Sequence, residues 1–185
     1  MTAASDVPIA LHCHAASACQ AVRALHATAR VIDGRLLLRY VLDADLSHMR
    51  IPTEQVPQRV HELWRHTCFE AFVGETGSRG YCELNFAPSR CWAMYRFSAQ
   101  REGMAVVADA RAPEITVGRS ATGLTLEATV FLHDLIPARA SLALRTGLTA
   151  VLEDEDGRLS YWAAQHPAGK PDFHHPDNFT LELRL

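Results

Sequence analysis

The sequence predicts an all-β protein: an antiparallel β-sandwich of the immunoglobulin or jelly-roll kind, with about nine or ten strands and one or two short helical turns. Three observations predict it. Apolar and polar residues alternate with a period of two through most of the chain, which is the signature of half-buried strands. Turn dipeptides separate these runs at short intervals. Helical periodicity is scarce, and no long helices alternate with strands, which argues against a parallel α/β sheet.

Taken in order, "AVRALHATARVI" and "RLLLRYVLDAD" flank Asp33-Gly34, a strong two-residue hairpin signal. "TEQVPQRVHELW" (53–64) reads as one or two helical turns capped by Thr53, which Pro57 confines to the segment's beginning. "HTCFEAFV" (66–73) and "GYCELNFAP" (80–88) enclose the polar loop "GETGSR", and "WAMYRF" (92–97) follows a "PSRC" turn. "PEITVGRS" and "GLTLEATVFL" meet at "ATG", and "HDLIPARA" reads as a single helical turn. "SLALRTGLTAVLED" and "RLSYWAAQ" meet at an acidic, Gly-containing tip within "EDEDG" (153–157), and "NFTLELRL" closes the chain. With 185 residues, one domain spanning 1–185 is expected, long enough to bury a full core.

Alternation also assigns faces. Along 66–73, Thr67, Phe69, Ala71 and Val73 share one face, and His66, Cys68, Glu70 and Phe72 the other. Along 81–86, Tyr81, Glu83 and Asn85 oppose Cys82, Leu84 and Phe86; along 92–97, Trp92, Met94 and Arg96 oppose Ala93, Tyr95 and Phe97. Short connections favour neighbouring strands. One sheet face carrying His66, Glu70, Glu83, Asn85, Trp92 and Arg96 is therefore expected. Flat aromatic area beside fixed donors and acceptors suits a small ligand. An outer face of ordinary Glu–Arg pairs is the competing account.

Composition excludes other classes. Eighteen basic and 21 acidic residues leave a net charge of −3, and no Lys/Arg run offers a nucleic-acid surface. No stretch approaches the roughly twenty apolar residues a membrane span needs, and the N-terminal segment lacks the basic and apolar regions of a signal peptide. The five cysteines (Cys13, Cys19, Cys68, Cys82 and Cys91) are odd in number and form no CxxC, which favours reduced thiols and a cytoplasmic location. Cys68 and Cys82 read as apolar strand fillers.

"HPAGKPDFHHPDNF" (166–179) concentrates three histidines, three prolines, two aspartates and a lysine. The prolines stiffen the loop, and Asp172 and Asp177 are placed to accept backbone N–H bonds in Asx-turns. His166, Lys170, His174 and His175 then remain to meet a hydroxylated or anionic ligand. His166, His174 and Asp177 are also a conceivable zinc set. Hydrolytic serine motifs are absent. Glu70 and Glu83 form a potential acid/base pair for glycoside hydrolysis.

"ELWRHTCFEAFV", followed by "YCELNFAPSRCWAMYRF", resembles the DOMON-like superfamily, which includes family-9 carbohydrate-binding modules and the cytochrome domains of some extracellular oxidoreductases. The match is to an uncharacterised bacterial group with a Leu-Trp-x-x-Thr-Cys-Phe-Glu run, an Asn-Phe-x-Pro-Ser turn and a Trp-x-x-Tyr-x-Phe strand. The resemblance covers roughly residues 30–185 and implies a β-sandwich. Sugar-binding relatives clamp a terminal sugar between two tryptophans with carboxylate, amide and arginine contacts. By resemblance Trp64 and Glu70 match one clamp tryptophan and its acidic partner, Trp162 the second tryptophan, and Asn85 and Arg96 the hydroxyl contacts. Haem-binding relatives use a methionine with a histidine or lysine, here Met49 with His166, Lys170 or His174. The calcium sites of relatives would fall on "EDEDG", which reads more readily as an ordinary acidic hairpin tip.

The sequence reading is thus a non-catalytic, cofactor-free module binding a small molecule, most simply a sugar or sugar derivative, and neither nucleic acid nor membrane. A haem- or metal-binding domain and an interaction module without a small ligand are the alternatives. The oligomeric state is left open.

Overall fold

The computed structural model describes residues 7–136 and 143–185. Twelve strands form among them: β1 (Ile9–Cys13), β2 (Val22–Ile32), β3 (Arg35–Ala44), β4 (Cys68–Glu75), β5 (Tyr81–Phe86), β6 (Trp92–Phe97), β7 (Ala105–Val106), β8 (Glu114–Ser120), β9 (Gly123–Phe131), β10 (Ala143–Glu153), β11 (Leu159–Ala163) and β12 (Leu181–Arg184). All pairings between these strands are antiparallel. The order is β7-β6-β5-β4-β10-β11-β1-β2-β3-β9-β8, with β12 also on β10. The path curls into two layers joined through β1. Ile9–Leu11 pair with β2, whereas His12 and Cys13 pair with β11. The expected sandwich is present. The two strands beyond the expected ten are β1 and β7, which are five and two residues long and too short to announce themselves by alternation.

The Asp33-Gly34 hairpin forms with both residues at positive φ, 49° and 72°, the type I′ geometry that suits strand twist. The helix expected within 53–64 does not form. Trp92 N–H donates to Gln58 C=O and Val60 N–H to Trp92 C=O, so this segment lies extended beside β6. Only a 3₁₀ turn at Leu63–Arg65 follows. The turn expected in "HDLIPARA" appears as α1 (Leu132–Leu135); residues 137–140 of that segment lie outside the described residues. None of the five cysteines is bonded to another, and Cys68 and Cys82 are buried. No helix among the described residues is long and apolar enough to cross a membrane.

Between the layers lies a large apolar core. Leu25, Leu36, Tyr40 and Leu126 from one sheet meet Phe69, Leu84, Met94 and Leu148 from the other. Tyr40 Oη donates to Glu70 C=O at 2.6 Å, tying the layers together at β4. The second sheet is unusual in being buried on both faces: every residue of β5 and nearly every residue of β4 is buried. A second apolar cluster explains this. Phe72, Tyr81, Tyr95, Phe97 and Val151 on the outward face are covered by Leu63, Trp64, Phe173 and Phe179 from connecting segments. The face that usually meets water in an antiparallel sheet therefore becomes the floor of an enclosed region.

Candidate functional site

That covered face holds a cleft of about 480 Å³. Strand register decides what lines it. Glu70 lies opposite Asn85 and Phe72 opposite Glu83; Glu83 in turn faces Tyr95, and Thr149 faces Glu70. Glu70, Phe72 and Glu83 form the floor with Val151. Trp64 comes from the 3₁₀ turn, Phe97 from β6, Leu159 and Tyr161 from β11, and Phe173 and His174 from the C-terminal loop. Arg65, Arg101, Met104 and Pro171 complete the lining.

The two floor carboxyls are differently placed. Glu70 is 2% exposed. Its Oε2 accepts a 3.3 Å bond from Thr149 Oγ1, while its buried Oε1 has no partner. Burial first, and the neighbouring Glu83 second, push the Glu70 carboxyl well above the usual range. Burial also raises Glu83. Glu83 Oε1, however, accepts a 2.8 Å bond from Asn85 Nδ2, and its Oε2 lies 3.6 Å from His174 Nε2. Hydrogen bonds to a carboxylate favour its charged form, so Glu83 is the better home for the pair's negative charge and Glu70 for its proton.

His174 is held from behind. Its Nδ1 is 2.8 Å from Tyr81 Oη, and that oxygen accepts the backbone N–H of Arg101 at 3.1 Å. Tyr81 has one proton to donate, and giving it to Nδ1 directs the Nε2 proton toward Glu83. Burial, reinforced by Arg101, holds the imidazole's pKa down at about 4, so His174 is neutral at neutral pH. Arg101 itself is fixed by two bonds to Asp172 Oδ1, at 3.2 and 2.7 Å. The same oxygen accepts His174 N–H at 3.0 Å, closing the expected Asx-turn. The second expected Asx-turn is replaced: His175 Nδ1 accepts Asp177 N–H and caps the 3₁₀ turn at Pro176–Asn178.

Of the residues singled out from sequence, Trp64, Glu70, Glu83 and His174 meet in the cleft. Asn85 is fully buried beneath it, braced by Cys68 Sγ and bonded to Glu83. The others need correction. Trp92 and Arg96 do not share the Glu70 face, because the Glu83–Tyr95 and Asn85–Ala93 pairs put the odd positions of β6 there. Trp92 packs into the inter-sheet core, with Arg59 stacked 4.6 Å from its ring. Arg96 donates to Leu135 C=O at the end of α1. Trp162 also faces the core, its Nε1 bonded to Ser160 Oγ at 2.9 Å; Tyr161, of opposite parity, reaches the cleft instead. His66 turns to Glu153 (2.7 Å) beside Arg50 in a separate small hollow. His166 bonds to His12 C=O at 2.8 Å and packs edge-on against His14. Lys170 and His175 line a neighbouring hollow with Arg101 and Asp172.

The haem pairing does not assemble. Met49 is buried in the inter-sheet core, whereas His174 packs on the opposite face of the second sheet. Among the described residues no group of three or more His, Cys, Asp or Glu side chains converges as a metal site. His166, His174 and Asp177 each bond elsewhere. At "EDEDG", Asp154 and Arg158 close a hairpin turn. Sequence reasoning missed Phe97, Arg101, Tyr161 and Phe173. Tyr161 was signalled by its neighbour Trp162 one position out of phase. Arg101, in the turn after β6, carries no sequence signal.

No family model matches the sequence, and no curated protein matches it. Solved structures do. A candidate carbohydrate-binding protein from Bacteroides uniformis aligns with a TM-score of 0.65 at 13% identity, over 87% of this chain and 78% of its own. A family-9 carbohydrate-binding module from Caldicellulosiruptor kristjanssonii, solved with cellotriose, aligns at 0.59 and 11% identity, over 98% and 86% of the two chains. A glucose complex from the same organism aligns at 0.52 and 12%, over 91% and 78%. At such identity the likeness establishes a shared fold.

Proposed function

We propose that this chain is a carbohydrate-binding module of the DOMON-like kind, taking a sugar or sugar derivative in the cleft above β4 and β5. One observation carries the reading. Aromatic walls from Trp64, Phe97 and Tyr161 enclose a floor on which two carboxyls present acceptor or donor atoms, one of them with a buried oxygen that has no partner. A pyranose needs that combination: an aromatic surface for its C–H face and fixed polar groups for its hydroxyls. An unpartnered buried oxygen costs free energy unless a ligand satisfies it. The shared fold with modules solved around cellotriose and glucose supports the same ligand class.

Calorimetric titration with D-glucose and cellotriose tests the reading. Binding is expected, with Trp64→Ala weakening it about tenfold, which is roughly 1.4 kcal/mol of lost stacking. No binding of either sugar at tens of millimolar, or an unchanged Trp64→Ala, overturns it.

A further inference from the structure

Glu70 and Glu83 are diagonal neighbours on one sheet face, since Glu70 pairs with Asn85 and Glu83 with Phe72. Such positions lie roughly 7 Å apart at Cβ, and both carboxyls line the same cleft. Their partners differ in kind. Glu83 accepts one N–H from the Asn85 amide and faces His174 Nε2, whereas Glu70 has one hydroxyl partner and an unpartnered Oε1. The arrangement is an acid beside a base, both approaching a bound molecule from one wall. Glycoside hydrolysis needs its two carboxyls to flank the scissile bond, which a single wall does not provide. The hydroxyl on C1 and the ring oxygen of a reducing sugar do lie on one edge of the ring, and both are bonded to C1.

We propose that the cleft, resting on the sugar-binding reading, is also catalytic: Glu70 as acid and Glu83 as base open and reclose the ring of a bound reducing sugar, interconverting its α and β anomers. Glu83 takes the proton of the C1 hydroxyl, and that O–H pair becomes the second C–O bond of the aldehyde. The C1–O5 bond breaks, its electron pair moves to O5, and Glu70 supplies the proton there. After rotation about C1–C2, O5 attacks the other face of the carbonyl. Glu70 recovers its proton from O5, and Glu83 returns its proton to the C1 oxygen. Atoms and charge balance without a co-reactant. His174 and Tyr81 are positioning residues that orient Glu83 from behind.

The test is the approach to anomeric equilibrium of freshly dissolved α-D-glucose and α-D-galactose, followed by polarimetry or proton NMR with the full chain. Acceleration above the buffer rate is expected. Glu70→Gln and Glu83→Gln should each lower the rate at saturating sugar a hundredfold or more, in line with general acid–base catalysis. The rate should fall at acid pH as Glu83 takes a proton and at alkaline pH as Glu70 loses one. Cys68, Tyr81, Tyr95, His174 and Arg101 are the ionisable side chains that act on this pair, with Tyr40 bonded to the Glu70 carbonyl. Methyl α-D-glucoside, which cannot open, should inhibit competitively, a check that stands even where a variant fails to fold. Sugar binding at the buffer rate of anomerisation overturns the catalytic proposal alone, as does acceleration that survives both substitutions or ignores the glucoside. Absence of sugar binding overturns this proposal together with the reading beneath it.

Discussion

At the residue scale the cleft holds two titratable groups whose pH dependences oppose one another, His174 and Glu70. His174 has its pKa lowered from 6.5 to about 4, chiefly by burial. The imidazole thus contributes stability that is complete above pH 6.5 and is lost as pH falls through about 4, by at most about 3 kcal/mol at 1.36 kcal/mol per unit. Glu70 has the reverse sign. Its folded pKa is raised, so its contribution is complete below the unfolded carboxyl range, about 4.3, and is lost as pH rises through the folded value. Denaturant unfolding across pH 4–8 should therefore show His174→Gln losing less stability than the parent between pH 6.5 and 4, and Glu70→Gln losing less on the alkaline side. Parallel curves for parent and variants contradict this. Alternation put Glu70 and Glu83 on one sheet face, resemblance set Trp64 beside Glu70, and all three line the cleft. Arg101 was not, because only the tertiary pairing with Asp172 brings it to the cleft.

At the scale of elements, the C-terminal loop sits on β10 because position 147 has no side chain. A Cβ at Gly147 would lie 2.5 Å from Asn178 Nδ2 and 2.8 Å from Asn178 O. Asn178, fully buried, uses Nδ2 to hold Phe173 C=O at 2.7 Å. Gly147→Ala should therefore cost about 1–3 kcal/mol as an overpacked site, and should weaken sugar binding by displacing Phe173 and His174. Chemical denaturation and the glucose titration check both; an alanine variant with unchanged stability would contradict the packing. The loop's proline stiffening and its Asp172 turn were readable from local sequence. Its docking on Gly147 was not, since a glycine within a strand has several meanings. The error at β6 has a physical cause: "WAMYRF" carries large apolar residues in both phases, and a sheet buried on both faces removes the contrast that alternation needs. The placing of Trp162 on β11 rested on resemblance, and the register there turns Tyr161 to the cleft instead.

At the scale of the whole molecule, the strand pattern forecast the sandwich, and the inter-sheet core followed from Phe69, Leu84 and their counterparts on β2, β3 and β9. The second, smaller core did not follow, because it is built by connecting segments that fold back over a sheet face. That covering turns a half-polar face into a cleft, and it gives the three tryptophans different fates. Trp64 lines the cleft, whereas Trp92 and Trp162 are buried between the sheets. Indole N–H resonances separate them. In a ¹H–¹⁵N spectrum titrated with D-glucose, the indole signal assigned to Trp64 by its loss in Trp64→Phe should shift progressively to saturation while the other two stay in place. A titration in which the Trp64 signal does not move, or in which Trp92 or Trp162 responds instead, would contradict the cleft as the sugar site.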